Sequence, residues 1–138
     1  MLDAKKVKVG QLKRELESIQ YLDVMIQEVQ EEIGYIDLMM GSLRSPTMDS
    51  PHIENHSSKD PLLSDITRKS RLEKKLRSYK RKRERLIDII DSIDNEIDHA
   101  IIYDLFVRRL NYQQVANRNY FSLNYLYRKV NSILERCI

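Results

Sequence analysis

The sequence predicts an all-α protein: long antiparallel coiled-coil helices followed by a C-terminal set of three short helices. Composition and periodicity both lead there. The chain of 138 residues holds three Gly, three Pro and no Trp, and 33% of its residues are charged. Val and Ile recur at helical spacing, and no stretch alternates polar and apolar residues in the manner of a strand. The length suits one domain, or a small domain with a long appendage.

The first element covers about residues 3–43. Leu12, Ile19, Ile26, Ile33 and Met40 stand seven apart, and Leu22, Val29, Ile36 and Leu43 form a second column three residues later. Spacing of this a and d type, sustained over the segment, argues for a coiled-coil seam. Gly10 and Gly34 each cost roughly 1 kcal/mol relative to Ala without erasing the pattern.

Residues 44–61, "RSPTMDSPHIENHSSKDP", hold all three prolines and no periodicity, which marks a flexible linker. His52 and His56 lie four apart in it. No helix is expected to hold them on one face, so the pair does not amount to a metal site.

A second long helix is expected over about 63–97. Leu72, Tyr79, Leu86 and Ile93 make one column; Leu76, Ile90 and Ile97 make most of another, with Arg83 intruding. It reads as the antiparallel partner of the first helix, and charge supports that pairing. Residues 15–37 carry seven acids and no base, whereas residues 68–85 carry eleven bases and two acids. Acids facing bases across a seam would fix orientation. Eleven bases exceed what one seam can pair, so Lys80, Arg81 and Lys82 are candidate auxiliary phosphate contacts. Asp88, Asp91, Asp94 and Asp98 recur at helical spacing beside Ile87, Ile90, Ile93 and Ile97, which predicts a half-buried helix with a solvated acidic face.

The last forty residues break into three short helices. The first covers about 99–109, with Ile102, Leu105, Phe106 and Arg109 at its turns. Asn111 is a natural cap for a second through Arg118, and Ser122 for a third running to about 136. On the third, Leu126, Val130, Ile133 and Cys137 share one face, flanked by Leu123 and Leu134. Asn124, Tyr125 and Arg128 point the opposite way, with Tyr127 and Lys129 at the edges. Asn can read adenine and Arg guanine in a bidentate manner, while Ser122 and the helix N-terminus favour phosphate. Gln113, Gln114 and Arg118 of the preceding helix complete the candidate DNA-binding set: Gln113, Gln114, Arg118, Ser122, Asn124, Tyr125, Tyr127, Arg128 and Lys129.

The stretch "RLNYQQVANRNYFSLNYLYRKVNSIL" resembles region four of bacterial sigma factors: an apolar-Tyr-x-x-Val-Ala helix, a Ser cap, then apolar-x-x-x-apolar. The longer pattern, with "SRLEKKL", "IDSIDNEID" and "LYRKV", is similar to phage-encoded late transcription regulators of the ArpU/RinA type. In these a coiled-coil pair, a Ser/Pro linker and a sigma-like end occur in the same order, so the resemblance spans most of the chain. It implies a helix-turn-helix over residues 98–138 that binds promoter DNA, with residues 1–97 as the coiled-coil region. It departs from the pattern where the turn often has Gly and this chain has Asn119 and Tyr120.

A non-enzymatic DNA-binding transcription regulator of phage or prophage genes is therefore the expected function. Double-stranded DNA is the expected partner and host RNA polymerase a candidate second one. Heptad seams imply a homo-oligomer, a dimer first. Two alternatives stand beside it: a DNA-packaging protein like a small terminase subunit, whose DNA-binding part usually comes first, and a helical adaptor or inhibitor of another protein. Catalysis fits poorly, since no Cys–His pairing, phosphate-cradling Gly loop or metal spacing occurs; no cofactor is expected. His99, one turn from Glu96, reads as surface. The one cysteine, Cys137, excludes an intrachain disulfide. No apolar run approaches membrane-spanning length and the N-terminus leads into no signal-peptide core, so a cytosolic protein is expected.

Overall fold

The computed structural model describes residues 4–43 and 61–138, and every element within them is a helix. In order these are α1 (Ala4–Leu43), α2 (Pro61–Asp91), α3 (Glu96–Phe106), α4 (Tyr112–Arg118) and α5 (Leu123–Arg136). The linker expected over 44–61, with His52 and His56, lies outside the described residues but for Pro61. Proline suits the first turn of a helix, where its missing N–H has no intrahelical partner to lose, and Pro61 opens α2. Among the described residues no helix is long and apolar enough to cross a membrane.

The described residues form two compact units. One contains residues 24–43 of α1 and 61–81 of α2. Its apolar cluster consists of Val29, Ile36 and Leu72, with Ile33, Met40, Leu76 and Tyr79 partly buried against it. These are heptad positions of both helices. Beside the cluster Arg68 pairs with Glu32, and Lys69 Nζ lies 2.5 Å from Asp37 Oδ1. The remaining face of α1 here is exposed at Tyr35 and Leu38.

The other unit contains residues 4–23 of α1 together with residues 82–138. From α1 it buries Leu12, Leu16, Ile19 and Leu22; from α2, Leu86 and Ile90; and from α3 to α5, ten further apolar residues. Leu16 is fully buried although it lies outside both heptad columns, one position past Glu15, where the second column would continue. A straight helix drifts relative to a strict seven-residue repeat, so an inward face can pass from one position to its neighbour. Arg83, the charge that interrupts the apolar column of α2, donates from Nε to Asp23 Oδ1 at 2.6 Å. An intruder in the pattern is thus the partner of an acid on α1.

The helix expected over 63–97 is broken. α2 ends at Asp91 and α3 begins at Glu96, three residues before the expected start at 99. The reason is a cap inside an otherwise helical Ile pattern. Asn95 takes an extended conformation and its Oδ1 accepts from the N–H groups of Ile97 and Asp98, each at 3.0 Å. Such a cap satisfies donors that a helix start leaves open, and Glu96 and Asp98 in the first turn suit the positive end of the helix dipole. Two expectations fall with the break. Ile97 is 59% exposed rather than in a seam, and Asp98, expected on a solvated face, is 3% exposed.

Candidate nucleic-acid interface

The candidate site is built on α3, α4 and α5, which pack pairwise on one another. Helices this short are marginal alone and depend on caps and packing. Asn111 caps α4: its Oδ1 accepts from Gln114 N–H at 2.8 Å, and Gln114 Oε1 accepts in return from Asn111 N–H at 2.9 Å. This is a reciprocal capping box with Asn at its head. Ser122 caps α5, its Oγ accepting from Tyr125 N–H at 3.1 Å.

Between the two, the chain reverses through Asn119, Tyr120 and Phe121. Phe121 N–H reaches Ala116 O at 2.9 Å and Tyr120 N–H reaches Asn117 O at 3.3 Å, with Tyr120 at φ 58°. These are the two bonds of a Schellman motif, whose left-handed position is usually Gly. The departure from a Gly turn therefore falls on Tyr120, not Asn119. Its ring is 97% exposed, so no packing holds it in that conformation; the backbone bonds do. Arg109, at φ 63°, plays a similar part after α3, where Leu110 N–H turns back to Asp104 O at 2.9 Å.

α5 has two faces, as its spacing predicts. Leu126, Val130, Ile133 and Leu134 are buried, while Asn124, Tyr125, Tyr127 and Arg128 are exposed. Tyr127 stacks on Tyr112 with centroids 4.6 Å apart, and Tyr125 meets Phe121 edge-on at 4.7 Å. Both phenols are thereby held at the surface rather than free to swing. Tyr112 itself is largely structural. Its hydroxyl is buried without a hydrogen-bond partner of normal geometry, and Lys13 of α1 lies over its ring, 5.4 Å from the centroid. Burial raises the Tyr112 pKa above the ordinary phenol value, outweighing the lowering effect of the Lys13 charge. Burial likewise raises the thiol of Cys137, against the nearby Arg136 charge.

Two buried carboxylates on α3, Asp98 and Asp104, govern the charge of the site. Asp98 receives Arg136 at 3.0 Å and Lys129 at 3.4 Å. Asp104 lies 3.5 Å from both Arg108 and Arg118. Of the six bases between residues 106 and 138, these two acids thus engage Arg108, Arg118, Lys129 and Arg136. Arg109 and Arg128 take part in no ion pair among the described residues. Asp98 stands where α3 faces α5, so its pairs tie the end of α5 to the start of α3.

The proposed contact residues accordingly divide. Asn124, Tyr125 and Arg128 share the outward side of α5, with Ser122 at its entry. Gln113 is exposed and donates from Nε2 to Asn117 at 2.9 Å, while the Gln114 side chain is used in its cap. Lys129 is turned inward to Asp98, and Arg118 reaches Asp104 from an exposed position. Lys80, Arg81 and Lys82 are exposed on α2 and in none of the ion pairs among the described residues, in contrast to Arg68, Lys69 and Arg83. His99, expected at the surface, is half-buried: its Nε2 lies 3.0 Å from Asp91 Oδ1 and its ring stacks on Tyr103. Sequence reasoning missed Asp98, Asp104 and Lys13. Asp98 alone carried a legible signal, three residues after the cap Asn95.

Among the described residues no group of three or more His, Cys, Asp or Glu is placed to hold a metal ion. No protein-family model, no curated protein and no solved structure matches the chain.

Proposed function

We propose that the chain is a non-enzymatic, sequence-specific DNA-binding transcription regulator of the phage late-regulator kind. α4 and α5 act as a helix-turn-helix on promoter DNA, and RNA polymerase is a candidate second partner. The observation that carries this reading is the outward side of α5: Asn124 and Arg128, one helical turn apart and both exposed, on a helix whose opposite side is buried. An amide and a guanidinium in no ion pair among the described residues, at that spacing, suit base edges in the major groove. Ser122 Oγ, which accepts a backbone bond, retains its hydroxyl proton for a phosphate.

The long helices serve assembly in this reading. One module with few free cations binds weakly, and pairing two through the coiled-coil helices raises avidity by effective concentration. A dimer on repeated half-sites is expected, and light scattering across a dilution series distinguishes it from a monomer.

The test is footprinting and titration on the DNA flanking the chain's own gene. Arg128→Ala should cost about 1–3 kcal/mol on the protected site and relax its sequence preference. A uniform loss on all sequences would make Arg128 a phosphate contact. Absence of any salt-sensitive DNA affinity in the wild-type chain would sink the reading. It would favour a helical adaptor instead, which the engagement of Arg108, Arg118, Lys129 and Arg136 by Asp98 and Asp104 independently supports.

A further inference from the structure

The bases that α5 and α4 lose to Asp98 and Asp104 have a replacement on the first helix. Along the outward side of α5, Asn124, Arg128, Asn131 and Glu135 follow one another at steps of four, three and four, a spacing that aligns them on one face, and all are exposed. The far end of this line borders a groove of about 390 Å³ between α5 and the start of α1. Asn131 and Glu135 line one wall; Lys5, Lys6 and Lys13 line the other. Among the described residues that line it, three ammonium groups stand against one carboxylate. The carboxylate is weakly committed: Glu135 is 3.7 Å from Lys5 Nζ, and both side chains are about half exposed or more. Pairs of that kind contribute little and open easily.

Lys5 and Lys6 also lie at the start of α1, whose first turn carries no acid. Cations there oppose the helix dipole and cost the helix stability. Stabilising the helix therefore does not account for Lys6. A short helix that reads base edges needs neighbouring cations to hold the DNA backbone, because phosphate contacts supply most of the affinity and fix the register. α5 offers Arg128 for the bases, while its own Lys129 and Arg136 are turned to Asp98.

We infer that this groove is a phosphate-binding element: Lys6 and Lys13, with Lys5 and Asn131, hold the backbone of the same duplex whose bases the outward side of α5 reads. The inference rests on the DNA-binding reading above and adds a second basic element to it. Lys5, Lys6 and Lys13 lie far in sequence from the basic stretch of α2.

The experiment uses the full chain and two duplexes, one from the DNA flanking its gene and one of shuffled sequence, each titrated across salt concentrations. Lys6→Gln with Lys13→Gln should weaken both duplexes equally, roughly tenfold, and flatten the log–log salt dependence by about 1.8, since each lost phosphate contact removes about 0.9. The double Lys→Arg variant should bind like wild type. Glu135→Gln should tighten both duplexes about two- to threefold, on the same electrostatic ground. Because Lys13 also covers Tyr112, exposed Lys6→Gln is tested alone, with about half the change in slope expected. Unchanged affinity and slope in the Lys→Gln variants, with Arg128→Ala still impaired, would overturn the groove and leave the DNA-binding reading standing. A loss confined to the gene-flanking duplex would make these lysines readers of sequence and overturn their phosphate role. No binding of either duplex by the wild-type chain would remove both.

Discussion

The short helices of residues 96–136 and the stretches of α1 and α2 within residues 24–81 reach the same secondary structure by different means. In the former, caps at Asn95, Asn111 and Ser122 start each helix, and buried apolar residues and two buried acids lock them together. In the latter, three buried apolar residues and their half-buried neighbours sit beside exposed ion pairs. Nucleating a helix is costly, and a short one recovers that cost only through specific end and side contacts. A long helix spreads the cost over many turns and can rest on a thin apolar stripe. The lesson is that single substitutions should be severe in the residues packed on the short helices and mild in the long pair.

The largest effect is expected from Ile90→Asp. Ile90 is fully buried in the unit that holds the short helices. An unpaired charge there costs several kcal/mol and should abolish the cooperative thermal transition followed by circular dichroism. The same change at half-buried Leu76 should leave a measurable transition; equal damage at both sites would erase the contrast.

Next is Asp98→Asn. It leaves Lys129 and Arg136 facing a neutral amide, and breaking a buried pair costs about 3 kcal/mol here, the low end of the usual range because Arg136 remains largely in water. Chemical denaturation gives the number. Adding Lys129→Met should restore part of the loss, since the uncompensated ammonium is removed. No recovery would mean that Asp98 acts chiefly through the start of α3.

Ser122→Ala and Asn111→Ala should each cost about 1 kcal/mol, the usual worth of an N-cap. If both prove silent in denaturation, the short helices do not depend on their caps as argued.

Tyr112→Phe should be neutral or stabilising by up to about 1 kcal/mol, because it removes a buried hydroxyl without a hydrogen-bond partner of normal geometry and keeps the stack on Tyr127. The pH dependence follows from the raised pKa of Tyr112. A phenol whose folded pKa exceeds its unfolded value contributes stability that is complete below the unfolded pKa, near 10, and is lost as pH rises through the folded one. Wild type should thus lose stability above about pH 10, and Tyr112→Phe should lose less. Parallel alkaline curves for the two proteins would refute the assignment.

The smallest effect is expected at Glu32→Gln in the long pair. Its bond with Arg68 lies at the surface, so the change should be within about 0.5 kcal/mol and shrink further in salt. A loss of several kcal/mol would show that ion pairs, not the apolar cluster, hold this region.

Local rules sufficed for the helical class, the extent of α1, the caps Asn111 and Ser122, and the two faces of α5. Each depends on the chain's own periodicity or on a side chain reaching backbone three residues away, and both are written in consecutive residues. The break at 92–95 was legible in principle: Asn95 followed by Glu96 and Asp98 is a helix start, hidden by an Ile repeat that continues through it. What only the tertiary structure decided is where charges go. Asp98 and Asp104 look like two more acids on an acidic face until α5 and α4 bring Arg136, Lys129 and Arg118 to them. Likewise Lys5, Lys6 and Lys13 read as an ordinary basic start until folding sets them beside Asn131 and Glu135. Periodicity tells which side of a helix turns inward, but a charge is neutralised by whatever lies across from it. For Asp98 and Arg136 that partner is 38 residues away.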